Sequence, residues 1–114
     1  LSCPATPETT RMVNADFLGA MKPGSILVNT ARGALVDERA LTDALDAGHL
    51  FAAGLDVFEG EPNVDPRLME YDNIFALPHI GSATEETRNA MGFCCLDNLD
   101  AFFAGRALPH GLVG

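Results

Sequence analysis

Three short apolar runs, residues 25–31 (SILVNTA), 52–57 (AAGLDV) and 74–78 (IFALP), carry no alternation of polar and apolar side chains. That absence is what most narrows the fold. A strand with one wet face alternates, whereas a strand covered on both faces reads as a continuous apolar run and belongs to a parallel sheet. The connecting segments read as helices. Asn14 is a predicted N-cap for a helix through Met21, stopped by Lys22-Pro23-Gly24. Asp37 caps a second helix whose Ala40, Leu41, Ala44 and Leu45 form one apolar face before Gly48. Residues 59–72, with Pro62 and Pro66, read as a polar loop. Thr84 and the acidic pair Glu85-Glu86 open a long helix to about Phe103, with Met91, Cys94, Cys95, Leu99 and Phe102 along its buried side. The order helix, strand, helix, strand, strand, long helix predicts an α/β fold. About three parallel strands with flanking helices on both faces make up half of a doubly wound sheet.

Length and charge exclude several classes. At 114 residues and 47% hydrophobic content the chain has material for one globular core. Seven Lys and Arg against sixteen Asp and Glu give a net charge of −9, which argues against nucleic acid or an anionic membrane as partner. No apolar stretch approaches the roughly 18 residues of a spanning helix, and a cytoplasmic setting is expected. The three cysteines, Cys3, Cys94 and Cys95, agree with that: an odd count with two adjacent on one predicted helix is no disulfide framework, and Cys94 and Cys95 read as buried, inert thiols. His49, His79 and His110 are too far apart for metal-ligand spacing, so no metal site is expected.

The polar residues at the ends of the runs are the candidates for chemistry. Arg32 follows the first run, Asp56 lies in the second with Glu61 five residues on, and His79 closes the third. Ligands of open α/β sheets sit outside the carboxyl ends of the strands, so these residues are expected to face one crevice. No GxGxxG is present, because Gly54, Gly60 and Gly81 are too widely spaced for a phosphate loop. The chain therefore reads as the second half of such a sheet.

A series of motifs in one register carries a resemblance. Thr6-Pro7-Glu8-Thr9, Met21-Lys22-Pro23-Gly24, Asn29-Thr30-Ala31-Arg32-Gly33, Val36-Asp37-Glu38, Ala53-Gly54-Leu55-Asp56-Val57-Phe58, Glu61-Pro62 and Pro78-His79-Ile80-Gly81 resemble, in order and spacing, part of the D-isomer-specific 2-hydroxyacid dehydrogenases. The part is the C-terminal half of their nucleotide-binding, Rossmann-like domain, over about residues 2–104. Residues 3–9 and 79–84 look most like the glyoxylate and hydroxypyruvate reductases. The resemblance implies that residues 1–104 form that half-domain and residues 105–114 a tail leading toward a substrate domain. It implies a homodimeric reductase of small 2-oxo acids using NAD or NADP, with Arg32, Glu61 and His79 catalytic. Cys3, Pro4, Thr30, Ala31, Arg32, Asp56, His79 and Gly81 would contact the cofactor. Cys3 departs from the hydroxyl or other small residue common at its position, so its contact is expected through the backbone. Gln is usual at the Glu61 position in formate dehydrogenases, which counts against that branch. The chain taken alone is expected to be inactive.

The chemistry suits these residue types. An Arg guanidinium holds a carboxylate through two parallel hydrogen bonds that Lys cannot reproduce. Charge building on a carbonyl oxygen needs a proton donor that titrates near working pH, which His79 supplies, and a carboxylate beside the ring favours its charged form. The alternative is a non-catalytic module of the corepressor kind, which keeps the fold and senses the nucleotide.

Overall fold

The computed structural model describes residues 1–111 and divides into two compact units, Leu1–Gly81 and Ser82–Gly114. The first holds helix α1 (Ala15–Ala20), strand β1 (Ser25–Asn29), helix α2 (Glu38–Asp46), strand β2 (Leu50–Leu55) and strand β3 (Ile74–Ala76). The strands form one parallel sheet in the order β1-β2-β3, with Ile26 beside Ala52 and Leu55 beside Ala76. The expected α/β sheet of three parallel strands is present.

Local signals place the helices where the sequence puts them. Asn14 accepts from the Phe17 N–H, and Asp37 accepts from the N–H groups of Arg39 and Ala40. α2 ends at Gly48, whose φ of +66° lets the Gly48 and His49 N–H groups turn back onto the carbonyls of Leu45 and Ala44. Leu41 and Leu45 are buried on its inner side, with Ala40 and Ala44 packed against the same cluster. That cluster joins Val13, Leu18, Leu27, Leu35, Leu50, Ala53 and Leu55 beneath one face of the sheet. Burial of each large side chain stabilises by about 1.5–3 kcal/mol.

Four expectations need correction. β2 starts at Leu50 and ends at Leu55, two residues ahead of the predicted run, because Gly48 releases the chain directly into the sheet; Asp56 therefore follows the strand. Residues 59–72 are not all loop: Pro66–Glu70 forms a 3-10 turn capped by Asp65, and it buries Leu68, which gives the turn an apolar anchor. The sheet is not covered on both faces, since Ile26, Val28, Phe51 and Phe75 are exposed.

The last correction concerns the second unit. Helix α3 (Glu85–Phe103) has its expected Thr84 cap and ends at Gly105, but Met91, Cys95, Leu99 and Phe102 are exposed and Cys94 is half-buried. Only Ala101 of this helix is buried. The five expected residues do share one stripe, but Phe93, Leu96 and Phe103 extend the apolar surface beyond it, and none of these side chains belongs to the buried core cluster.

Candidate active site

A cavity of about 880 Å3 opens at the carboxyl ends of β1 and β2. Cys3, Pro4, Thr30, Ala31, Arg32, Glu61 and His79, seven of the residues singled out from the sequence, line it. The segment between β1 and α2 carries Arg32. Asn29, buried at the end of β1, accepts from the Ala31 N–H and donates to the Arg32 carbonyl, so it fixes the turn from inside. Arg32 itself is exposed, donates to the Ala31 carbonyl, and has no carboxylate within ion-pair distance among the described residues. Its guanidinium retains donors for an anion.

Glu61 and His79 form a pair. His79 Nδ1 lies 2.7 Å from Glu61 Oε2, and the other carboxylate oxygen accepts from the Phe58 N–H at 2.7 Å. The bond to His79 holds the Glu61 carboxyl below the ordinary carboxylate range; slight burial opposes this, while the Phe58 N–H and the charges of His79 and Arg32 add to it. An ionised Glu61 needs a donor, so Nδ1 carries a proton, and Nε2 has no hydrogen-bond partner among the described residues.

His79 has a φ of +54°, a left-handed conformation uncommon outside glycine. Such a residue costs on the order of 1–3 kcal/mol and persists where its surroundings over-determine it. Here they do. Glu61 holds the ring, and Asp56, buried just after β2, accepts from the Ile80 and Gly81 N–H groups at 2.8 Å each.

Asp56 and Gly81 thus meet each other and do not line the cavity. His49 and His110 lie elsewhere: the first sits 3.1 Å from the Met21 carbonyl, the second 3.2 Å from Asp97. Among the described residues no three His, Cys, Asp or Glu side chains group as metal ligands, and no helix is long and apolar enough to cross a membrane.

Sequence reasoning missed two residues that shape the site. Gly33 lies so near the other wall that an added Cβ would be 2.0 Å from the Phe58 carbonyl carbon and 2.4 Å from the Glu59 nitrogen. Only glycine fits there. Glu38, the first residue of α2, sends its carboxylate to the Glu59 N–H at 2.7 Å. Both stand inside quoted motifs, but neither motif tells that residues 58 and 59 fold back against them.

The family described as D-isomer specific 2-hydroxyacid dehydrogenase, NAD binding domain, matches residues 1–81, the whole of the first unit. The chain belongs to that family. Among its relatives, a glyoxylate/hydroxypyruvate reductase B of Pectobacterium atrosepticum is 51% identical over 107 residues, covering 93% of this chain and 33% of the reductase. A hydroxyphenylpyruvate reductase of Plectranthus scutellarioides is 46% identical over 113 residues, 99% of this chain and 36% of its own. The chain therefore spans about a third of the length of these relatives. Among solved structures, the NADPH-dependent glyoxylate/hydroxypyruvate reductase of Sinorhizobium meliloti in complex with NADP and malonate superposes with a TM-score of 0.86 at 49% identity, over 90% of this chain and 32% of that one. The holo form of Rhodotorula graminis D-mandelate dehydrogenase gives 0.91 at 39% identity, over 99% and 34%.

Proposed function

We propose that this chain supplies the catalytic wall of an NAD(P)-dependent reductase of small 2-oxo acids, of the glyoxylate or hydroxypyruvate class. The observation that carries the reading is the 2.7 Å pairing of His79 Nδ1 with Glu61 Oε2 in a cavity that Arg32 also lines. The relatives' names and the D-2-hydroxyacid dehydrogenase family support the same chemistry.

In this reading Arg32 grips the substrate carboxylate through paired hydrogen bonds and turns the adjacent carbonyl toward His79. His79 donates the Nε2 proton to the carbonyl oxygen as charge builds there, while its Nδ1 proton stays on the ring, donated to the Glu61 carboxylate. Glu61 thereby fixes the orientation and tautomer of the ring, leaving Nε2 as the nitrogen that exchanges a proton with substrate. In the reverse direction a neutral Nε2 takes the hydroxyl proton. The nicotinamide, when bound, supplies the hydride received at the carbonyl carbon.

The cavity fits such a cofactor: 880 Å3 exceeds what a small acid fills, and Cys3, Pro4, Thr30 and Ala31 present small side chains and main chain along one wall. These four would hold the nicotinamide side. Asp56 and Gly81 would serve the cofactor by shaping the turn beside it.

The test is turnover of glyoxylate and hydroxypyruvate by the protein carrying this chain. Arg32→Lys keeps the charge and loses the fork, so kcat/KM should fall about ten- to a hundredfold, the worth of one charge-assisted hydrogen bond of about 1.5–3 kcal/mol. A carboxylate-free aldehyde should not distinguish the two proteins. Parent-like turnover of the acids by the variant would remove Arg32 from the reading. A parent that binds nucleotide and reduces no 2-oxo acid would identify a nucleotide-sensing module.

A further inference from the structure

Glu61 reaches His79 from a turn, residues 58–61, that belongs to no helix or strand, and something must hold that turn. Its own bond from the Phe58 N–H to Glu61 Oε1 closes the turn internally but does not anchor it to the rest of the unit. Three external contacts do, two of them at its main chain. The Phe58–Glu59 main chain lies against Gly33, within the space a single methyl group would need. The Glu59 N–H donates to Glu38 Oε1 at 2.7 Å, across 21 residues of sequence.

The placement of Glu38 is unusual for its position. A carboxylate in the first turn of a helix ordinarily complements that helix's own N–H groups, but Asp37 already accepts from Arg39 and Ala40. Glu38 instead turns away from α2 to a neighbouring loop. Burial pushes its carboxyl above the ordinary carboxylate range, the Glu59 N–H opposes that, and nearby Glu59 and Asp65 add to it. A group kept in so unfavourable a place for a charge is held there by the bond it accepts. The Glu59 side chain is itself engaged by Arg11 at 2.8 Å, so the residue is clamped at both main chain and side chain.

We propose that Glu38 is a positioning residue for the acid–base pair: by accepting the Glu59 N–H it holds the 58–61 turn against Gly33, at the height where Glu61 meets His79 Nδ1. Reach decides the effect, and charge does not. The inference rests on the reading of Glu61 and His79 as the acid–base pair, but its test reads geometry without turnover.

Two variants of the full chain separate reach from charge. Glu38→Gln keeps the length and an acceptor oxygen without the charge; Glu38→Asp keeps the charge but is one methylene too short. The probe is the His79 ring Nδ1 proton in nitrogen-15 NMR spectra, shifted downfield and protected from water by its bond to Glu61. Glu38→Gln should leave that signal in place. Glu38→Asp should broaden it or speed its exchange with water about tenfold or more, with the Ile80 and Gly81 amide signals, which depend on Asp56, unmoved. An unchanged ring signal in Glu38→Asp, its loss in Glu38→Gln, or movement of the Ile80 and Gly81 signals in both would overturn the assignment. Failure of the parent to reduce any 2-oxo acid would count against the reaction alone, because the ring proton is observed without substrate.

Discussion

Asp56 and Glu61 reach the same turn, residues 79–81, from loops of different character. Asp56 follows β2 directly, is 5% exposed, and spends both oxygens on the main-chain N–H groups of Ile80 and Gly81. Glu61 stands five residues further on, in an exposed turn, and spends one oxygen on its own loop and one on a titratable ring. A buried carboxylate saturated by backbone donors fixes a conformation. An accessible one bonded to an imidazole can respond to a proton moving on that imidazole. The difference lies in burial and partner, since the residue chemistry is the same.

The contact at Gly33 supports the Glu61 side of the comparison, and disturbing it should produce the largest effect. In Gly33→Ala the new Cβ meets main chain, which cannot swing aside as a side chain would. A stability loss of about 3 kcal/mol is expected, the upper part of the overpacking range, with the Glu61–His79 pair separated. Urea denaturation followed by Tyr71 fluorescence would measure it, since the chain has one Tyr and no Trp and Tyr71 lies in the first unit. A stable Gly33→Ala protein with turnover intact would show that the two walls can part without consequence.

The next effect breaks the comparison directly. Asp56→Ala leaves two main-chain donors without their partner and should cost about 2 kcal/mol. Glu61→Gln removes an exposed charge and should stay within about 0.5 kcal/mol of the parent in stability, while 2-oxo acid reduction falls about ten- to a hundredfold. Equal stability losses from the two substitutions would erase the distinction between them.

The same contrast marks what could be read from the sequence. The three strands, both helix caps around residues 14 and 37, and the gathering of Arg32, Glu61 and His79 were legible, because each rests on a local signal or on one topological rule. Local signals could not say that Asp56 would be spent on the 80–81 main chain, because that bond spans 24 residues and leaves no periodic trace. Glu38 was hidden for the same reason. The error on α3 is of another kind: the residues assigned to its buried side do share one stripe of the helix, but a stripe alone does not tell whether anything covers it, and here these side chains are exposed or half-buried. Leu68 shows the converse, one apolar side chain in a Pro-rich polar segment turning loop into a packed turn.

The smallest effect sharpens the comparison from the Glu61 side. The bond to His79 is the leading reason that the Glu61 carboxyl sits below its ordinary value of 4.5. A carboxylate depressed in the folded state contributes stability that is present above its unfolded value and is lost as pH falls through the folded one. The contribution of the pair should therefore be complete above about pH 4.5 and fade below it. His79→Ala removes the leading cause, so the carbon-13 titration midpoint of Glu61 should rise toward 4.5 and the loss of stability on acidification below that pH should become shallower. The Phe58 N–H and Arg32 remain in that variant and keep part of the depression. A midpoint that stays where it is in the parent would mean that the ring does not govern the carboxylate, and Glu61 would then differ from Asp56 only in exposure.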